Sequence, residues 1–207
     1  MIRKALIAAN GPTPNEKDFR SATLACDFLI AADGGLKHFH QFQILPDLVI
    51  GDLDSIDVDL LATYQKQTEI YKFPCDKNFT DLELAMFEAE KRGAKSLEIY
   101  SWADERLDYS LNSLLAAASL RAKVDFFSPN SQISILNYSH PKFLFENSGK
   151  KLSIFPLSKS VSLKTSGLRW ELKWSKVGPE TRSQSNQIAS QGFIQLSSGS
   201  AFVLIEK

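Results

Sequence analysis

The stretch Leu48-Val49-Ile50-Gly51-Asp52-Leu53-Asp54-Ser55 decides the architecture: a short apolar run stops on a glycine, and two aspartates two residues apart follow it. An apolar run this short and this tightly bounded reads as a buried strand rather than a fragment of helix. Runs of the same kind recur at residues 5–9, 28–32, 70–73, 97–100 and 124–127. Helical spacing lies between them. It is clearest at residues 80–92, where Leu82, Ala85, Met86 and Ala89 share one face, Thr80-x-x-Glu83 makes a capping box and Gly93 ends the segment. A second helix is predicted over residues 107–122, with Leu111, Leu114, Leu115 and Ala118 along its apolar face. Alternating strands and helices imply right-handed crossovers and a parallel sheet covered by helices on both faces.

The pattern changes near residues 129–131. Short segments at 132–138, 143–146, 151–155, 160–164, 168–173, 192–196 and 201–205 read as strands, several alternating apolar with polar, and Trp174 extends the fifth of them by one residue. Residues 175–184 read as a polar loop. The expected organisation is therefore an α/β domain over residues 1–130 and an all-β sandwich over 131–207.

Composition narrows the partners. The chain has 207 residues, 43% hydrophobic and 23% charged, with Lys+Arg and Asp+Glu both at 24 and a formal net charge of +0. No global basic field exists to gather nucleic acid or an anionic membrane, so phosphate binding has to be local. The run at residues 5–9 is too short for a signal-peptide core or a membrane span. Cys26 and Cys75 do not form a metal-type cluster, and a cytoplasmic protein with reduced thiols is expected. His38, His40 and His140 lack ligand spacing and are expected at the surface, and Trp102 and Trp174 as packing or rim residues.

In an open parallel sheet, ligands bind beyond the carboxyl ends of the strands. Four successive ends carry acids here: Asp33-Gly34-Gly35, Gly51-Asp52-Leu53-Asp54-Ser55, the Asp76–Asp81 stretch, and Asp104-Glu105-Arg106-Leu107-Asp108. Carboxylates converging on one edge repel one another unless a cation joins them. Mg²⁺ suits the task, taking one or two carboxylates and completing its octahedron with water and phosphate oxygens. Glycines beside the acids let backbone amides approach those oxygens. Taken singly, each motif has a plainer reading. Asp54 or Ser55 caps a helix starting near Asp57, Thr80 and Glu83 cap theirs, and Asp33-Gly34-Gly35 makes a turn. One cap needs one acceptor, however, and not two aspartates two apart.

The ordered set resembles the thiamine pyrophosphokinase family. An Asp-Gly-Gly turn (Asp33, Gly34, Gly35) is followed by Pro46-Asp47-Leu48-Val49-Ile50-Gly51-Asp52-Leu53-Asp54-Ser55, then Thr80-Asp81-Leu82-Glu83, then Arg106-Leu107-Asp108 with Asn112. Gly167-Leu168-Arg169-Trp170 is similar to the family's Gly-Leu-Lys-Trp/Tyr strand, and Ser185-Asn186 to its Ser-Asn-Glu. The resemblance implies a homodimer with thiamine at the subunit interface and transfer of the pyrophosphoryl group of ATP to the thiamine hydroxyl, giving thiamine diphosphate and AMP. On that footing Asp52, Asp54 and Asp81 are the expected Mg²⁺ ligands. Asp33 and Asp108 shape the phosphate site, and one of them orients or deprotonates the alcohol. Arg106, with Lys77 as a second cation, pairs with phosphate, and Thr80 donates its hydroxyl at a helix N-terminus. Trp170 either stacks on a thiamine ring or packs as a core aromatic, and Ser185 and Asn186 hydrogen-bond the pyrimidine. Asp104-Glu105 stand where the family has Gly-Gly, Tyr109 where it has His, and Asn78 and Gln187 where it has acids. A related pyrophosphokinase or phosphohydrolase with another acceptor, and a thiamine-binding protein with reduced turnover, are the alternatives these departures leave open.

Overall fold

The computed structural model describes residues 2–76, 78–103, 106–178 and 184–207. The chain separates into two compact units, Met1–Ser113 with Phe126–Pro129, and Leu114–Asp125 with Asn130–Lys207.

The first unit is built on parallel strands β1 (Lys4–Ala8), β2 (Phe28–Ala32), β3 (Leu48–Gly51), β4 (Glu69–Lys72) and β5 (Ser96–Tyr100). Their order is β5-β1-β2-β3-β4, with Ala8 level with Ala31 and Tyr100, and Ala31 with Val49. This in-register pairing puts Leu6, Ala8, Ala31 and Val49 on one face, in an apolar cluster with Phe19 and Ala22 of α1 (Glu16–Leu24), Leu36 and Phe39 of α2 (Leu36–Gln41) and Tyr64 of α3 (Val58–Tyr64). Ile7, Ile30, Leu48 and Ile50 alternate with that set and are fully or almost fully buried, and α4 (Asp81–Lys91) packs against β1, β2 and β3. A sixth strand, β6 (Lys123–Ser128), follows α5 (Leu107–Ala117). Helix α5 stops five residues short of the predicted end. Ser119 and Leu120 instead make three-residue turns on Ala116 and Ala117, because the Asn137 side chain takes the carbonyls of Ala118 and Leu120.

In the second unit β7 (Ser131–Leu136), β8 (Lys142–Phe145), β9 (Lys151–Pro156), β10 (Val161–Leu168), β11 (Ser175–Val177), β12 (Asn186–Ser198) and β13 (Ala201–Glu206) pair antiparallel. Two ladders, β11-β10-β12-β8 and β9-β13-β7, contribute to one apolar cluster that includes Leu163, Ile194, Leu152, Ile154 and Val203. Two sequence expectations fail here. No strand spans residues 168–173: β10 runs continuously through Leu168, and the chain then turns, with Trp174 at φ +33. Residues 175–177, expected in a loop, pair with Leu163 to Val161 as β11. Ser160 and Lys173 mark ends in the sequence pattern, but Gly167 at φ +84 lets β10 approach Gly192 of β12 too closely for any side chain there.

Candidate active site

Strand ends in the first unit turn through backbone that ordinary side chains rarely adopt. Asp33 follows β2 at φ +46, Leu53 follows β3 at φ +66 and Ser101 follows β5 at φ +55. Such conformations gather at functional sites because the surroundings must hold them in place. Gly51, which ends β3 at φ +154, shows what is being held. A Cβ there would sit 3.0 Å from Asp33 Cβ and 3.1 Å from the Asp81 carboxylate. The glycine lets two acids from different elements close over one strand end.

Asp33, Asp52 and Asp81 each offer an oxygen within 4.8 Å of the others, and Asp52, Asp54 and Cys75 form a second such group. Asp33 is 6% exposed, and its Oδ1 is buried with no hydrogen-bond partner among the described residues. An acceptor in that position is costly unless a cation or donor reaches it. Three carboxylate oxygens at this spacing form an all-oxygen donor set that fits a hard divalent ion such as Mg²⁺. The three expected ligands are thus divided: Asp52 belongs to both groups, Asp81 lies with Asp33, and Asp54 lies with Cys75.

These acids line a cavity of about 360 Å³ together with Thr80 and Arg106. Thr80 is the N-cap of α4: its Oγ1 accepts from Glu83 N at 3.2 Å, and Glu83 Oε2 accepts from Thr80 N at 2.8 Å. Capping uses the hydroxyl as an acceptor only, so its proton remains for an anion at the helix N-terminus, and both roles expected of Thr80 are compatible. Arg106 donates Nε and Nη2 to Asp108 at 3.0 and 2.6 Å, with its guanidinium 4.4 Å from the centre of the Tyr109 ring. That pair holds the Asp108 carboxyl below the usual carboxylate range, which makes it a poor base. Asp108 does not line the cavity, whereas Arg106 and Tyr109 do. Asn112 lies in an adjoining cleft with Thr80, Asp52 and Cys75. Gly34 and Gly35 work from behind the site, since a Cβ on either would strike the Asn10 side chain or the Ala8 carbonyl. Lys77, Asp104 and Glu105 lie outside the described residues.

Asn10, Gly11, Ser101 and Ser113 line the cavity without having been singled out, and they are joined there by Trp102, expected to pack or sit at a rim, and by Tyr109, which stands where the family has His. Asn10-Gly11 follows β1, and applying the strand-end rule to that strand as well finds them. Lys37 Nζ anchors this loop, donating to Asn10 O at 2.7 Å and Oδ1 at 2.8 Å. His38, expected at the surface, lies on α2 next to Lys37 and is fully buried. Burial, aided by the charge on Lys37, pushes its pKa down to about 4.

In the second unit Trp170 is 58% exposed and is not a core aromatic, and the Arg169 guanidinium lies 4.9 Å from its ring centre. Asn186 is buried and fastens the Trp170 backbone, accepting from its N at 3.2 Å and donating to its O at 2.8 Å. Ser185, at φ +55, donates its N–H to Ser153 Oγ at 2.9 Å. Ser185 and Asn186 therefore sit beside the turn that presents Trp170.

Two family models match the chain: the thiamin pyrophosphokinase catalytic domain over residues 19–126, and the thiamin pyrophosphokinase vitamin B1 binding domain over residues 139–201. No curated protein sequence matches it significantly. Among solved structures the fold is similar to thiamine pyrophosphokinase from Bacillus subtilis, at 20% identity and TM-score 0.82 with 99% of each chain covered. It is similar to a thiamin pyrophosphokinase family protein from Enterococcus faecalis at 22% identity and TM-score 0.81, again over 99% of each chain. Yeast thiamin pyrophosphokinase follows at 17% identity and TM-score 0.80, covering 99% of this chain and 86% of that one.

Proposed function

Because the chain belongs to the thiamin pyrophosphokinase family, we propose that it transfers the pyrophosphoryl group of ATP to the hydroxyl of thiamine, giving thiamine diphosphate and AMP. The observation that supports this chemistry most directly is the Asp33, Asp52 and Asp81 oxygens drawn within 4.8 Å of one another in the lining of one cavity. Mg²⁺ bound there, with Asp54 flanking it, would neutralise charge on the transferred group. The residues themselves supply position and field. Thr80 Oγ1–H and the α4 N-terminus receive phosphate oxygens, and Arg106 exchanges Asp108 for them. The alcohol oxygen bonds to the β-phosphorus as the bond from that phosphorus to the AMP oxygen breaks. Asp33, buried with an acceptor oxygen that has no partner among the described residues, is better placed than Asp108 to orient the hydroxyl.

The first unit is the catalytic domain and the second, a β-sandwich, binds thiamine, with exposed Trp170 stacking on the flat cationic ring. A cytoplasmic homodimer with thiamine at the subunit interface completes the reading. Among the described residues no helix is long and apolar enough to cross a membrane. Incubation with ATP, Mg²⁺ and thiamine, followed by chromatography, tests it: AMP and thiamine diphosphate should appear in equal amounts. Thiamine-independent release of AMP or ADP would point to a hydrolase or another acceptor. Thiamine binding without product would point to a binding protein.

A further inference from the structure

The cavity carries two polar groups at its β5 end that the metal and phosphate chemistry leaves unused. Ser101 is 7% exposed, its Oγ is buried, and Trp102 Nε1 is buried beside it; neither has a hydrogen-bond partner among the described residues. Both residues line the cavity. Their placement is built rather than incidental. Ser101 is held at φ +55, its carbonyl accepts from Gly11 N at 2.7 Å, and a Cβ on Gly11 would lie 2.4 Å from that carbonyl. The Trp102 indole is propped against Phe126, ring centres 4.9 Å apart at 61°. An indole N–H only donates, and a buried donor without an acceptor costs free energy that a ligand's acceptor would recover.

Position identifies the ligand. Trp102 follows β5 and Asp52 follows β3, and in the order β5-β1-β2-β3 these ends lie three strand spacings apart, roughly 14 Å. If the acids and Thr80 hold the polyphosphate, the far end of the same nucleotide reaches Ser101 and Trp102. We propose that these two residues are the nucleoside subsite: Trp102 presents its ring edge and Nε1–H to the base, and Ser101 Oγ bonds a ribose hydroxyl or a base acceptor. The assignment rests on the ATP-dependent reading above and makes Trp102 a determinant of donor-nucleotide choice.

Steady-state kinetics of Trp102→Phe, which keeps a ring on Phe126 and removes the N–H, and of Trp102→Leu and Ser101→Gly test this. The KM for ATP should rise about 10-fold in Trp102→Leu and several-fold in the other two, the range expected when one base contact is lost. The thiamine KM and kcat should hold, as should inhibition by inorganic tripolyphosphate, which has no nucleoside. Preference for ATP over GTP and CTP should narrow. Unchanged ATP KM in all three variants, or a rise in thiamine KM instead, overturns the assignment. If the wild type forms no thiamine diphosphate, the reaction assigned above fails, and direct binding decides the subsite separately. In a Trp170→Phe, Trp174→Phe background, AMP should quench Trp102 fluorescence; quenching by thiamine and not by AMP overturns it.

Discussion

Asp33 is buried, lacks a hydrogen-bond partner for one oxygen among the described residues, and shares its surroundings with two other acids. Such a group lowers stability in the absence of a cation and supplies affinity in its presence. Asp33→Asn and Asp52→Asn should therefore each abolish thiamine diphosphate formation while leaving the metal-free protein as stable as wild type or more so. Calorimetric melting with and without Mg²⁺ checks this: the metal should raise the wild-type Tm and leave the variants unmoved. A variant that melts lower without metal and keeps its response to Mg²⁺ would contradict the assignment. His38 offers a pH test of a different kind. Its folded pKa is near 4 against an ordinary 6.5, so the unfolded chain binds its proton first as pH falls. The stability contributed by the neutral, buried imidazole is complete above pH 6.5 and is lost as pH drops toward 4, on the order of 3 kcal/mol in all. His38→Leu should flatten that part of the stability curve in urea titrations at pH 7 and pH 4.5; an unchanged slope would mean that other groups carry it. Spacing could not disclose His38, because a six-residue helix that carries Lys37, His38, His40 and Gln41 is too short and too polar for its buried face to show as a periodicity. The aspartates were legible because their chemistry repeats at successive strand ends.

Helix α4 joins stability to function in one side chain. Thr80 closes a reciprocal capping box with Glu83 and lines the cavity. Thr80→Ala should cost about 1 kcal/mol of stability through the lost cap and also raise the KM for ATP. Thr80→Ser should restore both. If Thr80→Ala loses stability but keeps the wild-type KM, the hydroxyl serves the helix alone. The box itself, Thr80-x-x-Glu83, was readable from local sequence, as were the parallel strands, each a tight apolar run between turn residues. The region after Gly167 was not. There a left-handed glycine keeps β10 against Gly192, and Asn186, distant in sequence, fastens the Trp170 turn. Alternation alone predicted a new strand where long-range hydrogen bonds impose a turn.

At the scale of the whole molecule, the proposed arrangement requires the phosphate-handling acids of one chain to act with Trp170 of its partner. That requirement can be tested without a structure of the dimer. Asp52→Asn removes a cation ligand and Trp170→Ala removes the ring proposed to stack on thiamine, so each homodimer should be almost inactive for a different reason. Subunits mixed, unfolded together and refolded would re-pair at random, and half of the dimers would contain one chain of each kind. In such a dimer one composite site carries both substitutions and the other carries neither. The mixture should therefore regain about a quarter of wild-type activity. If each site were made within a single chain, every site would keep one lesion and mixing would restore nothing. Trp170, 58% exposed with a guanidinium 4.9 Å from its ring centre, is a suitable probe because substituting it empties no core. Its loss should act on thiamine use and hardly on folding, so the absence of rescue in a mixture shown to be dimeric by sedimentation would count against the shared site and not against the protein's integrity.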